Sequence, residues 1–443
     1  MNRNIRLILR EKIRGWCSGV FLALLLLLSA CGDTAEREAL FATVSNTGDA
    51  SASMAEATAV DDGIAANTDG VAATIASVMT VEPTERVDAV LSPTPPDQAV
   101  NEPLAGQELA LDQRAAALSD YLGNLAETGQ FMGTVLVASG GEILINEGYG
   151  FADVAGGRAN SPDTQQRIGS LTKQFTAAAI LLLQERGLLD VNDAVSAYLP
   201  GYPGGDQITI HQLLTHTAGV PNYTRRPDLA QVVQTPIALD DLLAEFSNEP
   251  LDFPPGRQFA YSDSGYVVLT KIIEVVSGQP YADFIQSQIL DVIGMSRSGY
   301  DYLHDELDEP AVGYQMSPAG PQQAVDTESS WASGAGALYS TTGDLYKWDR
   351  ALAAGSLLQA SSREAMFSPW ADMGQGYVYG YGWEIGQMAG RPSQTHAGNI
   401  FGFGSFIARF PEDDAVIVVL GNGLQMSPRA IAEELSRLLF AAS

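Results

Sequence analysis

The run RIGSLTKQFTAAAILLLQERG, Arg167 to Gly187, constrains the fold more than any other stretch of this chain. It reads as a long apolar helix with no charged residue between Phe175 and Leu183. Such a helix has to be covered on every side, so the chain must build a large core around it. Yet Lys173 sits in its first turn and Ser170 at its mouth, three residues apart. One reading is that the Ser170 hydroxyl caps the helix and that Lys173 snorkels to solvent. The other is chemical. Positions i and i+3 share a helix face, which brings the ammonium group within reach of the hydroxyl. A partly desolvated lysine beside a reacting serine can accept its proton or stabilise a neighbouring anion. The helix N-terminus adds positive potential and backbone N–H groups where an oxyanion forms.

The chain has 443 residues, but its N-terminal quarter does not read as globular. Arg3, Arg6, Arg10, Lys12 and Arg14 precede the apolar run Val20 to Leu28, then Ser29, Ala30 and Cys31. A basic segment, a short apolar core and small residues before a cut form a secretory signal, too short for an ordinary membrane span. The pattern resembles a bacterial lipobox. It implies a signal peptide over 1–30, cleavage before Cys31, a lipid on that cysteine, and an extracytoplasmic, membrane-anchored lipoprotein. With Cys17 removed and Cys31 acylated, no disulfide is open to the mature chain. Residues 31–107 are mostly Ala, Thr, Val, Asp, Ser and Pro without period, and Phe41 is their only aromatic. Such a stretch cannot bury enough surface to offset its ordering entropy. It reads as a disordered tether with a reach of roughly 50 Å. Loss of residues 1–30, with five basic residues and one acidic, takes the net charge from −29 to −33. That balance argues against nucleic acid and anionic lipid surfaces as partners.

Order is expected from about residue 108 to 443. LALDQRAAALSDYLGNLAETG has helical apolar spacing. Phe131 to Ala138 and Glu142 to Gly148 then read as a hairpin across Gly140-Gly141. At the far end, GSFIARFPEDDAVIVVLGNG reads as two strands joined across Pro411 to Asp414, before a closing helix from about Pro428 to Leu439. The two hairpins can share one antiparallel sheet covered by both terminal helices. Between them, about 171–360, helical segments dominate, two of them closed by Gly278 and Gly355. The expectation is an α+β fold: an antiparallel sheet flanked by helices, with an inserted, mostly helical region.

Four segments appear in order: IGSLTKQFT, LLTHTAGV (Leu213–Val220), PPGRQFAYSDSGY (Pro254–Tyr266) and HAGNIFGF (His396–Phe403). Together they resemble the successive motifs of the serine beta-lactamase-related family, which includes class C beta-lactamases, D-alanyl-D-alanine carboxypeptidases, D-aminopeptidases and esterases. The likeness spans roughly Leu109 to Leu439. It implies a beta-lactamase/penicillin-binding-protein-like fold, Ser170 as nucleophile, Lys173 as its helper, and Tyr261 as base from a Tyr-x-Asn motif. His396-Ala397-Gly398 maps to the strand motif Lys-Thr-Gly or His-x-Gly, and the N–H groups of Ser170 and Asn399 to an oxyanion hole. Asp263, His396, Gly398 and Asn399 thereby become substrate-binding candidates.

Two of these positions depart from the commonest pattern. Asp263 stands where many members carry asparagine, and an ionised carboxylate cannot donate a hydrogen bond. Near Lys173 its charge would keep the lysine protonated and leave Tyr261 the better proton acceptor. His396 stands where class C enzymes carry lysine, and a neutral imidazole holds a substrate carboxylate less firmly. The expected activity is therefore hydrolysis of a small ester or D-amino-acid peptide through an acyl-enzyme, with beta-lactams disfavoured. The alternative is a non-catalytic cell-wall or partner-binding module. His216 reads as a loop-stabilising residue and His211 and His304 as incidental. Trp331, Tyr381 and Trp383 either shape the cleft or pack the core. Four histidines without a His-Glu-x-x-His helix give no metal site, and no cofactor is expected. No Gly-x-Ser-x-Gly occurs in the domain, which argues against an alpha/beta-hydrolase triad.

Overall fold

The computed structural model describes residues 111–441 apart from 302–306, 318–319 and 425–426. The signal segment, Cys31, the tether and His304 lie outside the described residues. Helix α1 (Leu111–Glu127) leads into strands β1 (Phe131–Ser139) and β2 (Glu142–Tyr149). Gly140 and Gly141 make the turn between them at φ +60° and +79°, a pair of values that side chains with a Cβ resist. At the other end of the chain, six strands follow: β3 (Ala371–Gly374), β4 (Tyr377–Tyr379), β5 (Glu384–Met388), β6 (Arg391–Ile400), β7 (Phe403–Phe410) and β8 (Ala415–Leu424). All eight form one antiparallel sheet in the order β3-β4-β5-β6-β7-β8-β1-β2. The terminal hairpins meet where β1 pairs with β8, for instance Val135 with Val419 and Leu136 with Val418.

Alternation along the central strands divides the interior in two. Val135 and Val137 of β1, with Phe406, Ile417 and Val419, face α1 and the closing helix α5 (Pro428–Leu439), which contribute Leu118, Leu122, Ile431 and Leu435. Leu136 and Ala138, with Ile407, Val416 and Val418, face the helical body inserted between the hairpins. This is the α+β architecture expected from the sequence. Only the four terminal strands are plain in the hydrophobic pattern. The added strands β3 to β5 are three to five residues long, and β3 and β5 carry glycines.

At the centre of the helical body lies α2 (Thr172–Glu185), buried from Thr172 through Leu183. It packs on α3 (Asp263–Ser277) and on the short turn Ser333–Gly336. Phe175 stacks on Trp348 of α4 (Thr342–Ala354) at 4.5 Å. Gly278 and Gly355 end α3 and α4 in the left-handed conformation, both at φ +69°, where glycine is the favoured residue.

Candidate active site

Ser170 does not cap α2. It lies inside a 3-10 turn, Gly169–Leu171, and makes no side-chain capping bond. Gly169 enters the turn at φ +51°, where a Cβ would stand 2.9 Å from the backbone nitrogen of Asn399. The turn is also tied to the sheet, because the Ser405 hydroxyl of β7 donates to the carbonyl of Ile168 at 2.7 Å. Glycine freedom and one hydroxyl thus press the Ser170 turn against β6.

Lys173 does not snorkel; its side chain is fully buried. Its Nζ lies 3.1 Å from Ser170 Oγ, 2.7 Å from Asp263 Oδ1 and 2.8 Å from the carbonyl oxygen of Ala335. Burial pushes the lysine below its ordinary pKa, while the charge and hydrogen bond of Asp263 pull it up; burial wins. The three partners suit either protonation state. A neutral amine donates to the two obligate acceptors, Asp263 and Ala335, and turns its lone pair to the Ser170 hydroxyl. An ammonium donates to all three.

Tyr261 reaches the same serine. Its phenol interacts with the Ser170 hydroxyl, which favours the phenolate, but burial and the charge of Asp263 hold its pKa well above 10. The lysine ammonium position lies 4.8 Å above the Tyr261 ring. Here the expected role of Asp263 needs correcting. The carboxylate does favour a charged lysine, but it opposes a phenolate too and so does not make Tyr261 the better acceptor. Burial and the Asp263 charge thus oppose each other at Lys173 and act together at Tyr261.

His216 holds the backbone on both sides of Tyr261. Its carbonyl accepts from Ala260 N–H at 2.9 Å and its Nδ1 accepts from Ser262 N–H at 3.2 Å. Its ring lies 4.2 Å from that of Tyr261. The residue adopts φ +58°, and burial keeps its imidazole neutral, well below the usual histidine pKa. The loop it stabilises is the one that carries the candidate phenol.

Asp263 opens α3. Its Oδ1 receives Lys173, and its Oδ2 receives Asn222 Nδ2 and Thr224 Oγ1, both at 3.4 Å. Asn222 Oδ1 in turn accepts from Asp263 N–H at 3.3 Å. Asn222 and Thr224 had no signature in the sequence, since short polar residues in a loop are commonplace.

Strand β6 closes the site. β5 pairs with it only as far as Thr395, so from His396 onward the edge is open toward the Ser170 turn. A Cβ at Gly398 would come within 2.1 Å of the Ile168 carbonyl and 3.1 Å of Ser170 N. Gly398 therefore permits close approach, and the backbones of Ser170 and Asn399 meet at one junction. His396 departs from its expected place in substrate binding. It is 2% exposed, its Nδ1 donates to the Ala397 carbonyl at 2.7 Å, and its Nε2 accepts from Tyr379 at 2.9 Å. Burial drops its pKa to about 4. With both nitrogens engaged inside the protein, it presents no N–H to a carboxylate. Trp331, Tyr381 and Trp383 are all buried and pack the core. His211 is bound to the Tyr381 hydroxyl at 2.7 Å. Among the described residues no cluster of three or more His, Cys, Asp or Glu side chains is placed for a metal ion.

Comparison with known proteins identifies the family and the fold. A family model described as Beta-lactamase matches residues 118–442. The PbpX protein of Bacillus subtilis strain 168, classed by name with the penicillin-binding proteins, is 33% identical over 319 residues, covering 72% of this chain and 76% of that one. The crystal structure of a penicillin-binding protein from Bacillus halodurans superposes with a TM-score of 0.66 at 27% identity, over 73% of this chain and 98% of the other. EstCE1, a hydrolase with promiscuous acyltransferase activity, shares the fold at 21% identity and a TM-score of 0.65, over 74% of this chain and 99% of its own.

Proposed function

Because this chain belongs to the beta-lactamase family of serine hydrolases, we propose that it cleaves a small ester or a D-amino-acid-containing peptide amide through an acyl-enzyme on Ser170. One observation carries the reading: a fully buried lysine whose Nζ stands 3.1 Å from the serine oxygen. Neutral Lys173 takes the Ser170 proton as Oγ bonds to the substrate carbonyl carbon. The carbonyl electron pair moves onto oxygen, between the N–H groups of Ser170 and Asn399. Collapse expels the leaving group with a proton from the Lys173/Tyr261 pair, which titrates as a unit. Water then gives a proton to the same pair and bonds to the acyl carbon; the bond from that carbon to Oγ breaks, Oγ takes the proton back, and the acid product leaves. Gly398 keeps the strand close enough for this, and neutral His396 supports Tyr379 instead of gripping a carboxylate, which disfavours beta-lactams.

The test is acylation. A fluorophosphonate or penicillin probe labels the protein and fails on Ser170→Ala. Absence of labelling by any acylating probe would instead leave a non-catalytic binding module on the same fold. A panel of p-nitrophenyl esters, nitrocefin and D-alanyl peptides then ranks substrates. For location we propose a signal peptide ending before Cys31 and a lipid on that cysteine, supported by the N-terminal sequence pattern. Cys31→Ala releases the protein from the membrane fraction or blocks its processing. Deleting residues 32–107 leaves turnover of a soluble substrate nearly unchanged, and a large loss would make that segment part of the fold.

A further inference from the structure

We infer that Asp263 makes this site selective for acyl groups that present an N–H donor, above all a free amino group on the carbon next to the scissile carbonyl. The inference rests on the proposed acylation of Ser170. Asp263 and Ser170 bind the same lysine nitrogen, at 2.7 and 3.1 Å, so the carboxylate lies within two hydrogen-bond lengths of the nucleophile. Its side chain is 20% exposed beside a lysine that is fully buried. Oδ1 is committed to Lys173. Oδ2 is not: its two protein donors, Asn222 and Thr224, both stand at 3.4 Å, well beyond the 2.7–2.9 Å of a strong charge-assisted bond. That oxygen keeps lone-pair capacity and charge for a better donor.

The chemistry of the occupant follows. An amine on the carbon next to the acyl carbon sits about 2.5 Å from it, close enough to bridge from a carbonyl at Ser170 to the carboxylate. A carbonyl oxygen or a carboxylate at the same place would set acceptor against acceptor. The neighbouring groups do not reverse this polarity, since Lys173 has three partners already and His396 has both nitrogens occupied.

The experiment uses the full-length chain and p-nitrophenyl esters that differ only in the substituent on the carbon next to the carbonyl: D-alanine ester, N-acetyl-D-alanine ester and propionate ester. The D-alanine ester should exceed propionate in kcat/KM by at least about tenfold, with the acetylated ester between them. Asp263→Asn should bring the ratio near one, and Asp263→Glu should keep its direction. A native ratio within twofold, or one favouring propionate, overturns the inference while Ser170 labelling leaves the acylation mechanism standing. An unmoved ratio in Asp263→Asn also overturns it. Loss of both turnover and fluorophosphonate labelling in the native chain sinks the mechanism, and the inference with it.

Discussion

At the residue scale, His216 and Asp263 act on the two candidate proton carriers in different ways, and each gives a separate test. His216 fixes where the phenol is. His216→Leu removes the Nδ1 acceptor for Ser262 N–H and places a branched side chain at φ +58°, so kcat should fall by about 10- to 100-fold with KM little changed. Asn tolerates the same backbone region and carries an acceptor on the same atom position, so His216→Asn should recover most of the loss. Equal defects in both variants would reduce His216 to packing. Asp263 instead sets proton affinity. Its charge raises both Lys173 and Tyr261, so Asp263→Asn lowers both. The rising limb of kcat/KM against pH, read with a neutral ester, should therefore move to lower pH in that variant; a limb that moves up contradicts the assignment of Lys173 as base. Spacing and motif order pointed to Ser170, Lys173, Tyr261 and Asp263. They did not point to the Ala335 carbonyl, because a backbone acceptor carries no side-chain signal. Nor did they reveal that Tyr379 holds His396, a contact made by two strands folding together.

The decisive element is the contact between strand β6 and the turn that carries Ser170. Two glycines, Gly169 and Gly398, let the backbones approach, and Ser405 ties the far side. Gly398→Ala drives a methyl to within 2.1 Å of the Ile168 carbonyl. Overpacking of this kind costs about 1–3 kcal/mol, and here it separates the Ser170 and Asn399 amides proposed to hold the oxyanion. We expect kcat/KM to fall at least about 100-fold, more than the accompanying drop in Tm explains. Retained activity would mean that the oxyanion is held elsewhere. The terminal hairpins and helices were legible because their apolar residues repeat with period 2 or 3.6 over whole elements. Strands β3 to β5 were not, since their side chains are placed by pairing with neighbours and not by an alternating pattern of their own.

Over the whole molecule, burial of neutral histidines couples the fold to acid. His396 has a folded pKa of about 4 against 6.5 when unfolded. Between those values the unfolded chain binds more protons, so the stability is full above pH 6.5 and is lost as pH falls toward 4. For His396 alone this amounts to about 3 kcal/mol, and His216 adds in the same direction. Denaturant melts at pH 7 and pH 4.5 should show the loss, and His396→Gln should shrink it; an unchanged slope would assign the acid sensitivity elsewhere. The pairing of β1 with β8 has a different consequence, for synthesis. Strand β1 leaves the ribosome and waits for a partner that emerges nearly three hundred residues later. The sheet cannot close from a partial chain, and a nascent product cut short before Ala415 should be left protease-sensitive however much of its sequence has been made.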